Sequence, residues 1–308
     1  IYIIYNLVII GDSMYKLLDG KKYSLEIKEK LAKIFSNIDQ KDNTITLGIL
    51  QVGDLEQSNI YIRHKLKFAE DLNIKTYFKK IAENASFDEI KDAICETANN
   101  STGMIIQLPI MSNKISANEL EKLLNYVPKE KDIDGLNDIN YELEDHKKAF
   151  LPATALGIIL LLKEYKINVI NNDIAIIGKS KIVGKPLAHY FQKTNNLVRV
   201  YDENTSRNDL KNSNIIVVAT GQKNPIKLED IKQNCVIVDV GIHKINGKIS
   251  GDLDFEIFAQ KASFITPVPG GVGPMTVSSL ILNLIKSDLI QNPEKTSLYK
   301  NILHFIEM

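Results

Sequence analysis

The sequence predicts an α/β protein built of two domains, and three observations carry that reading. From Lys21 to Val127 amphipathic helical segments alternate with short runs rich in branched residues, the pattern of helices layered on a sheet. After the polar stretch Asn137 to Lys148 a second series of apolar runs begins, and it contains a glycine turn, Gly178 to Gly184, between a strand and a helix start. The chain's 308 residues, 44% of them hydrophobic, suffice for two cores of ordinary size.

In the first half, SLEIKEKLAKIF, SNIYIRHKLKFAEDL, FDEIKDAICETAN and SANELEKLLNYV read as amphipathic helices, and TITLGILQV, IKTYFKKI and GMIIQL as strands. The strands are mostly unalternating, as expected where helices cover both faces of a largely parallel sheet. In the second half, ALGIILLLKEY is a helix apolar nearly all round, and DIAIIG, NLVRVYD, SNIIVVATG and NCVIVDVG follow as a strand series. That rhythm is Rossmann-like. VSSLILNLIKSDLI is a long helix, and Asn292-Pro293 is expected to break the chain before a last helix ending near Ile306.

Lys plus Arg and Asp plus Glu balance at 38 each, with a pI near 7.1, so no global field draws the chain to nucleic acid or to an anionic membrane. The two cysteines, Cys95 and Cys235, lie far apart and outside any CxxC spacing. That argues against a zinc site or a disulfide framework and fits a reducing, cytoplasmic compartment. The five histidines form no HExxH pattern, and no metal is expected. The opening IYIIYNLVII is apolar but much shorter than the ~20 residues that span a bilayer, and it lacks a basic n-region.

Four segments carry detail that packing alone does not require. TPVPGGVGPMT, Thr266 to Thr276, crowds prolines and glycines into a shaped backbone immediately before a helix. GKSKIVGKPLA places Gly178, Ser180 and Gly184 where backbone N–H groups and a helix start favour a pyrophosphate, although the pattern is not GxGxxG and a plain glycine turn is the alternative. In VGDLEQSNIYIRHK, Tyr61 and Lys65 emerge from one helix face, which is most often simply a solvated face. Gln107 ends GMIIQL at the strand's carboxyl edge, where it could simply cap a turn, and Asp132 and Asp134 in KDIDG read as a polar turn or a cation-binding loop. An EF-hand is excluded because its further acidic positions are missing.

Together, in order and approximate spacing, these segments resemble the bifunctional methylenetetrahydrofolate dehydrogenase/methenyltetrahydrofolate cyclohydrolase family, over about Leu17 to Leu289. The resemblance implies a folate-binding catalytic domain over 14–150 and a Rossmann-like dinucleotide-binding domain over 151–274. Helices over 275–308 are expected to return to the first domain, and 1–13 to be an extension of uncertain status. It implies Lys65 as the catalytic lysine, Tyr61 as the pterin-stacking tyrosine, Gln107 as the lysine's hydrogen-bond partner and Asp134 as the pterin's carboxylate. Pro269, Gly270 and Gly273 would shape the substrate wall. Gly178, Lys179, Ser180, Gly184, Asp202, Glu203, Thr220, Gly221 and Ile242 would hold NADP or NAD.

A lysine suits this role because a buried ammonium can lose its proton near neutral pH, which a guanidinium cannot. Three departures from the family pattern stand out. Lys179 replaces an arginine, Ala153 and Ala155 replace a cysteine and a proline, and Asp202 and Glu203 replace a His-Ser pair after the second Rossmann strand. Asp202 lies close to the spacing at which an acidic residue bonds the ribose 2′-hydroxyl, which tilts an NADP-using family toward NAD. The implied function is oxidation of 5,10-methylenetetrahydrofolate followed by hydrolysis of the methenyl cation to 10-formyltetrahydrofolate, by a cytoplasmic homodimer acting on folate. The rivals are a related amino-acid or shikimate-type dehydrogenase, which leaves Tyr61, Lys65 and DIDG unexplained, and a catalytically silent nucleotide-binding module.

Overall fold

The computed structural model describes residues 2–4, 7–10, 13–38, 45–142, 148–245 and 247–306. The described chain divides into two compact units: residues 26–153 with 277–308, and residues 1–25 with 154–276. The polar boundary expected at Asn137 to Lys148 and the N-terminal extension lie partly outside the described residues.

In the first unit three parallel strands form the sheet, with Thr46–Val52 central between Lys75–Ile81 and Gly103–Gln107. Thr46–Val52 and Gly103–Gln107 are buried almost throughout, as their unbroken apolar runs predict. Lys75–Ile81 departs from that expectation. Among the described residues it is an edge strand, and its residues alternate between exposed and half-buried because no described strand pairs with its outer side. The helices Phe87–Asn99 and Ala117–Asn125 each start on a capping box. Ser86 and Ser116 accept from the N–H groups of Glu89 and Glu119, whose carboxylates accept the serine N–H groups at 2.7 and 2.9 Å.

The long helix Val272–Gln291 contributes residues from Val277 onward to this unit, so the expected return of the C-terminal helix is observed. Its polar residues explain how it is fastened. Asn283 Nδ2 donates to the carbonyls of Ile133 and Leu151, both at 2.9 Å. Ser287 Oγ, with one proton to give, lies 2.8 Å from Thr102 O and 2.6 Å from Glu130 O, and Lys286 Nζ donates to Ala149 O at 2.6 Å. These are backbone oxygens of connecting segments, which lack the regular ladder partners of a helix or sheet. The helix therefore holds the loop that carries Asp134.

The second unit holds an eight-stranded sheet in the order Tyr2–Ile4, Leu7–Ile10, Ser13–Leu17, Ala262–Ile265, Cys235–Asp239, Ile215–Val218, Asp173–Ile177, Leu197–Tyr201. The five strands from Ala262–Ile265 to Leu197–Tyr201 are parallel, and Ser13–Leu17 joins them in parallel. Tyr2–Ile4 and Leu7–Ile10 complete an antiparallel meander with Ser13–Leu17, so the apolar opening of the chain is spent on sheet pairing. Ile177, Ile216, Val218, Ile237 and Ile265 pack in its core with Tyr15 and Tyr201. A small hairpin, His243–Ile245 with Lys248–Ser250, stands apart from the main sheet. Among the described residues no helix is long and apolar enough to cross a membrane.

Candidate active site

Lys65 lies on the helix Glu56–Asp71, one turn after Tyr61, so both leave the same face. Its Nζ donates to Gln107 Oε1 at 2.9 Å. Gln107 is 9% exposed at the carboxyl end of Gly103–Gln107, and its Nε2 donates to Leu108 O at 2.8 Å. That second bond fixes the amide so that its oxygen, the acceptor, faces the lysine. Leu108-Pro109 is a cis peptide.

Burial pushes the Lys65 ammonium below the ordinary lysine range, and the nearby Asp134 carboxylate opposes that shift. Asp134 is pushed up by its own burial and held down by Lys65. The two groups thus act on each other electrostatically while both remain half-buried. Tyr61 is partly exposed, and burial raises its phenol above the usual value. An amine whose charged form is penalised, with a fixed acceptor on one side and a carboxylate on the other, gives up its proton to water or substrate more readily than an ordinary lysine does.

Asp132 and Asp134, two residues apart, have different surroundings. Asp132 is buried, and its Oδ2 accepts from Asn137 N and Asn140 Nδ2, both at 2.8 Å. Burial pushes its carboxyl up to about 7, against these hydrogen bonds. It shapes the loop from which Asp134 projects, and it is a supporting residue that the sequence reading left without a role. Beside Gln107 in register stands Gln51, 3% exposed, whose Nε2 donates to Asn59 Oδ1 at 2.7 Å; Asn59 Nδ2 donates to Asp54 Oδ1 at 2.7 Å. This chain ties the strand end to the start of the Lys65 helix, and a polar residue at the end of an apolar strand run was its only sequence signal.

The other predicted residues belong to the second unit. Gly178 has φ +115°, and a Cβ there would stand 2.3 Å from Ala219 O. A Cβ on Gly184 would stand 1.9 Å from Gly178 O. Both glycines are therefore required by a close turn at the start of the helix Gly184–Gln192. Ser180 Oγ accepts from Val183 N at 3.2 Å within that turn. Thr220 and Gly221 follow the next strand over, and Asp252 accepts their N–H groups. Ile242 is exposed. Gly270 has φ +110° and its carbonyl accepts Lys21 N at 2.7 Å, Pro269 follows a cis peptide, and Gly273 opens the helix Val272–Gln291 with no atom where a Cβ would be.

Lys179 Nζ pairs with Asp202 Oδ2 at 2.7 Å. Lys179 and Thr205 hold the Asp202 carboxyl well below its usual range. Glu203 is exposed and next to it. Arg199 turns elsewhere: it pairs with Asp173 and, at 3.3 Å, with Asp209, while its Nε donates to Tyr201 Oη. Among the described residues no group of three His, Cys, Asp or Glu side chains is arranged to hold a metal ion.

The turn fits a dinucleotide, because its glycines let backbone approach closely at a helix start and Lys179 stands beside it. Comparison with known proteins agrees. Residues 18–134 match the model of the tetrahydrofolate dehydrogenase/cyclohydrolase catalytic domain, and residues 152–292 that of the family's NAD(P)-binding domain. The bifunctional protein FolD of Metamycoplasma arthritidis is 44% identical over 297 residues, covering 95% of this chain and 99% of the relative. That of Aquifex aeolicus is 39% identical, covering 89% and 95%. The crystal structure of the Campylobacter jejuni bifunctional enzyme FolD, methylenetetrahydrofolate dehydrogenase/cyclohydrolase, superposes with a TM-score of 0.81 at 36% identity, over 90% of this chain and 99% of that one. Two family models that together span most of the chain, and relatives of this identity and coverage, show that the chain belongs to the tetrahydrofolate dehydrogenase/cyclohydrolase family.

Proposed function

We infer that the chain oxidises 5,10-methylenetetrahydrofolate to the 5,10-methenyl cation with NAD(P) and hydrolyses that cation to 10-formyltetrahydrofolate. The observation that carries the reading is the Lys65 ammonium, pushed down by burial and bonded to Gln107 at 2.9 Å with Asp134 in electrostatic reach. Asp134 is the acceptor for the pterin's amino and ring N–H groups, Tyr61 stacks on the ring, and Lys65 with Gln107 handles the proton of the attacking water. Pro269, Gly270 and Gly273 line the substrate wall. When bound, the dinucleotide supplies the hydride acceptor; the protein's part is to orient the folate and to exclude competing chemistry.

The dinucleotide is held by the Gly178–Gly184 turn with Lys179 and Ser180, and by Thr220, Gly221 and Ile242. NAD is used at least as well as NADP. Lys179 is the cation that a 2′-phosphate would need, and Asp202 already binds it. Glu203 adds a further negative charge, whereas a ribose 2′-hydroxyl can donate to Asp202. A homodimer and a cytoplasmic setting belong to the same proposal and rest on the family likeness.

An absorbance assay with methylenetetrahydrofolate and each dinucleotide tests the reading. Methenyl product appearing with NAD(P) and then decaying faster than its spontaneous hydrolysis is the expected course. No dinucleotide-dependent product in folded protein would contradict it.

A further inference from the structure

Asp252 takes no part in the chemistry above, yet it is completely buried and every polar group it has is engaged. Its Oδ2 accepts from Thr220 N at 2.9 Å, Thr220 Oγ1 at 2.9 Å and Gly221 N at 3.1 Å. Its Oδ1 lies 2.8 Å from His243 Nε2, which donates to it. The Asp252 N–H donates to Asp239 Oδ1 at 2.9 Å, and its carbonyl accepts Asn224 N at 2.7 Å. Gly241 closes the remaining side, since a Cβ there would stand 1.8 Å from Asp252 Oδ1.

These bonds have a consequence for the glycine turn across the sheet edge. In a trans peptide the N–H and the preceding C=O point in opposite directions. With Thr220 N–H aimed at Asp252, the Ala219 carbonyl is turned the other way, toward Gly178, where it occupies the space a Cβ would need. Ala219 N in turn donates to Ile177 O at 2.8 Å. The carboxylate therefore sets the orientation of both segments at the carboxyl ends of two adjacent parallel strands, where open α/β sheets bind ligands.

We propose that Asp252, braced by His243, is a positioning residue for dinucleotide binding: it fixes the Thr220–Gly221 turn and seats the Ala219 carbonyl against Gly178. The inference rests on the reading that Gly178, Thr220 and Gly221 face the dinucleotide. Asp252→Asn would replace a charged acceptor by a neutral amide with one oxygen in place of two, weakening the bonds that hold the turn. His243→Leu removes the brace, and His243→Gln keeps a donor for Oδ1.

The experiment measures Kd for NAD and for NADP by calorimetry on the full chain, with KM and kcat beside it. Asp252→Asn is expected to raise Kd about 10-fold or more, by a similar factor for the two dinucleotides, because the turn and not the ribose pocket has moved. KM for the dinucleotide rises with Kd while kcat at saturation changes less. His243→Leu shows a smaller rise that His243→Gln reverses. An Asp252→Asn protein that folds and binds as the wild type does would overturn the proposal. If that variant does not fold, the histidine variants decide, and equal Kd for His243→Leu and wild type would overturn it. Gly178→Ala separates the two layers. Lost binding there with unchanged binding in the Asp252 and His243 variants refutes this inference alone, whereas unchanged binding in Gly178→Ala refutes the cofactor-site reading as well.

Discussion

Asp134 and Asp132 share one short loop and one residue type, and burial raises the pKa of both. What separates them is what each carboxylate meets. Asp132 spends its oxygens on Asn137 and Asn140, whereas Asp134 faces Lys65 and accepts none of the protein's side-chain N–H groups among the bonds described. It is therefore the carboxylate with acceptor capacity for a pterin. Asp134→Ala should weaken folate binding by about 1.5 to 3 kcal/mol, the value of a charge-assisted hydrogen bond, which is roughly 10-fold or more. Dinucleotide affinity should barely move; titration of the variant with each ligand checks this, and equal losses for both would mean a structural role. At this scale spacing placed Tyr61 and Lys65 on one helix face and Gln107 at a strand's carboxyl edge, while the roles proposed for them come from the family resemblance. The contacts of Asp132, Gln51 and Asn59 were not legible, since their partners are brought to them by the path of short connecting segments, which periodicity does not fix.

At the scale of elements, the proposed choice of dinucleotide rests on the turn Gly178–Gly184 and the end of strand Leu197–Tyr201. The strand's register places Arg199 among Asp173, Asp209 and Tyr201, away from Asp202. In the folded chain Lys179 is bound to Asp202, so an incoming phosphate must compete with that carboxylate for it. The expected ratio of kcat/KM for NADP over NAD is at or below about 1 at ordinary ionic strength. Steady-state rates with each dinucleotide give the ratio directly, and a value above about 10 would show that Lys179 leaves Asp202 to serve the phosphate. The helix Val272–Gln291 shows the opposite balance of legibility. Its existence followed from an unbroken apolar run, but its attachment to the Asp134 loop depends on Asn283 and Ser287 meeting carbonyls about 150 residues earlier in the chain.

For the molecule as a whole, stability has a pH dependence that these buried carboxylates dictate. Asp132 at about 7 and Asp239 at about 6 lie above the ordinary carboxylate value, both raised first by burial. A raised folded pKa contributes stability that is fully present below the unfolded value of about 3.9 and is lost as pH climbs through the folded value. Asp132→Asn should therefore gain Tm relative to wild type between pH 5 and pH 8, by thermal melts at each pH. A difference that does not vary with pH would contradict the assignment. The two α/β domains and their parallel strands were readable from periodicity and the returning helix from the family resemblance alone, whereas the N-terminal meander rests on pairings that an apolar run alone does not specify. The claim on which everything else depends is that Lys65, tuned by burial and held by Gln107, drives hydrolysis of the methenyl cation. The most direct test is the hydrolysis rate of 5,10-methenyltetrahydrofolate with folded Lys65→Met protein. A loss of roughly 100- to 10,000-fold, with dehydrogenase activity less affected, is the predicted result, and a hydrolysis rate equal to wild type would contradict it.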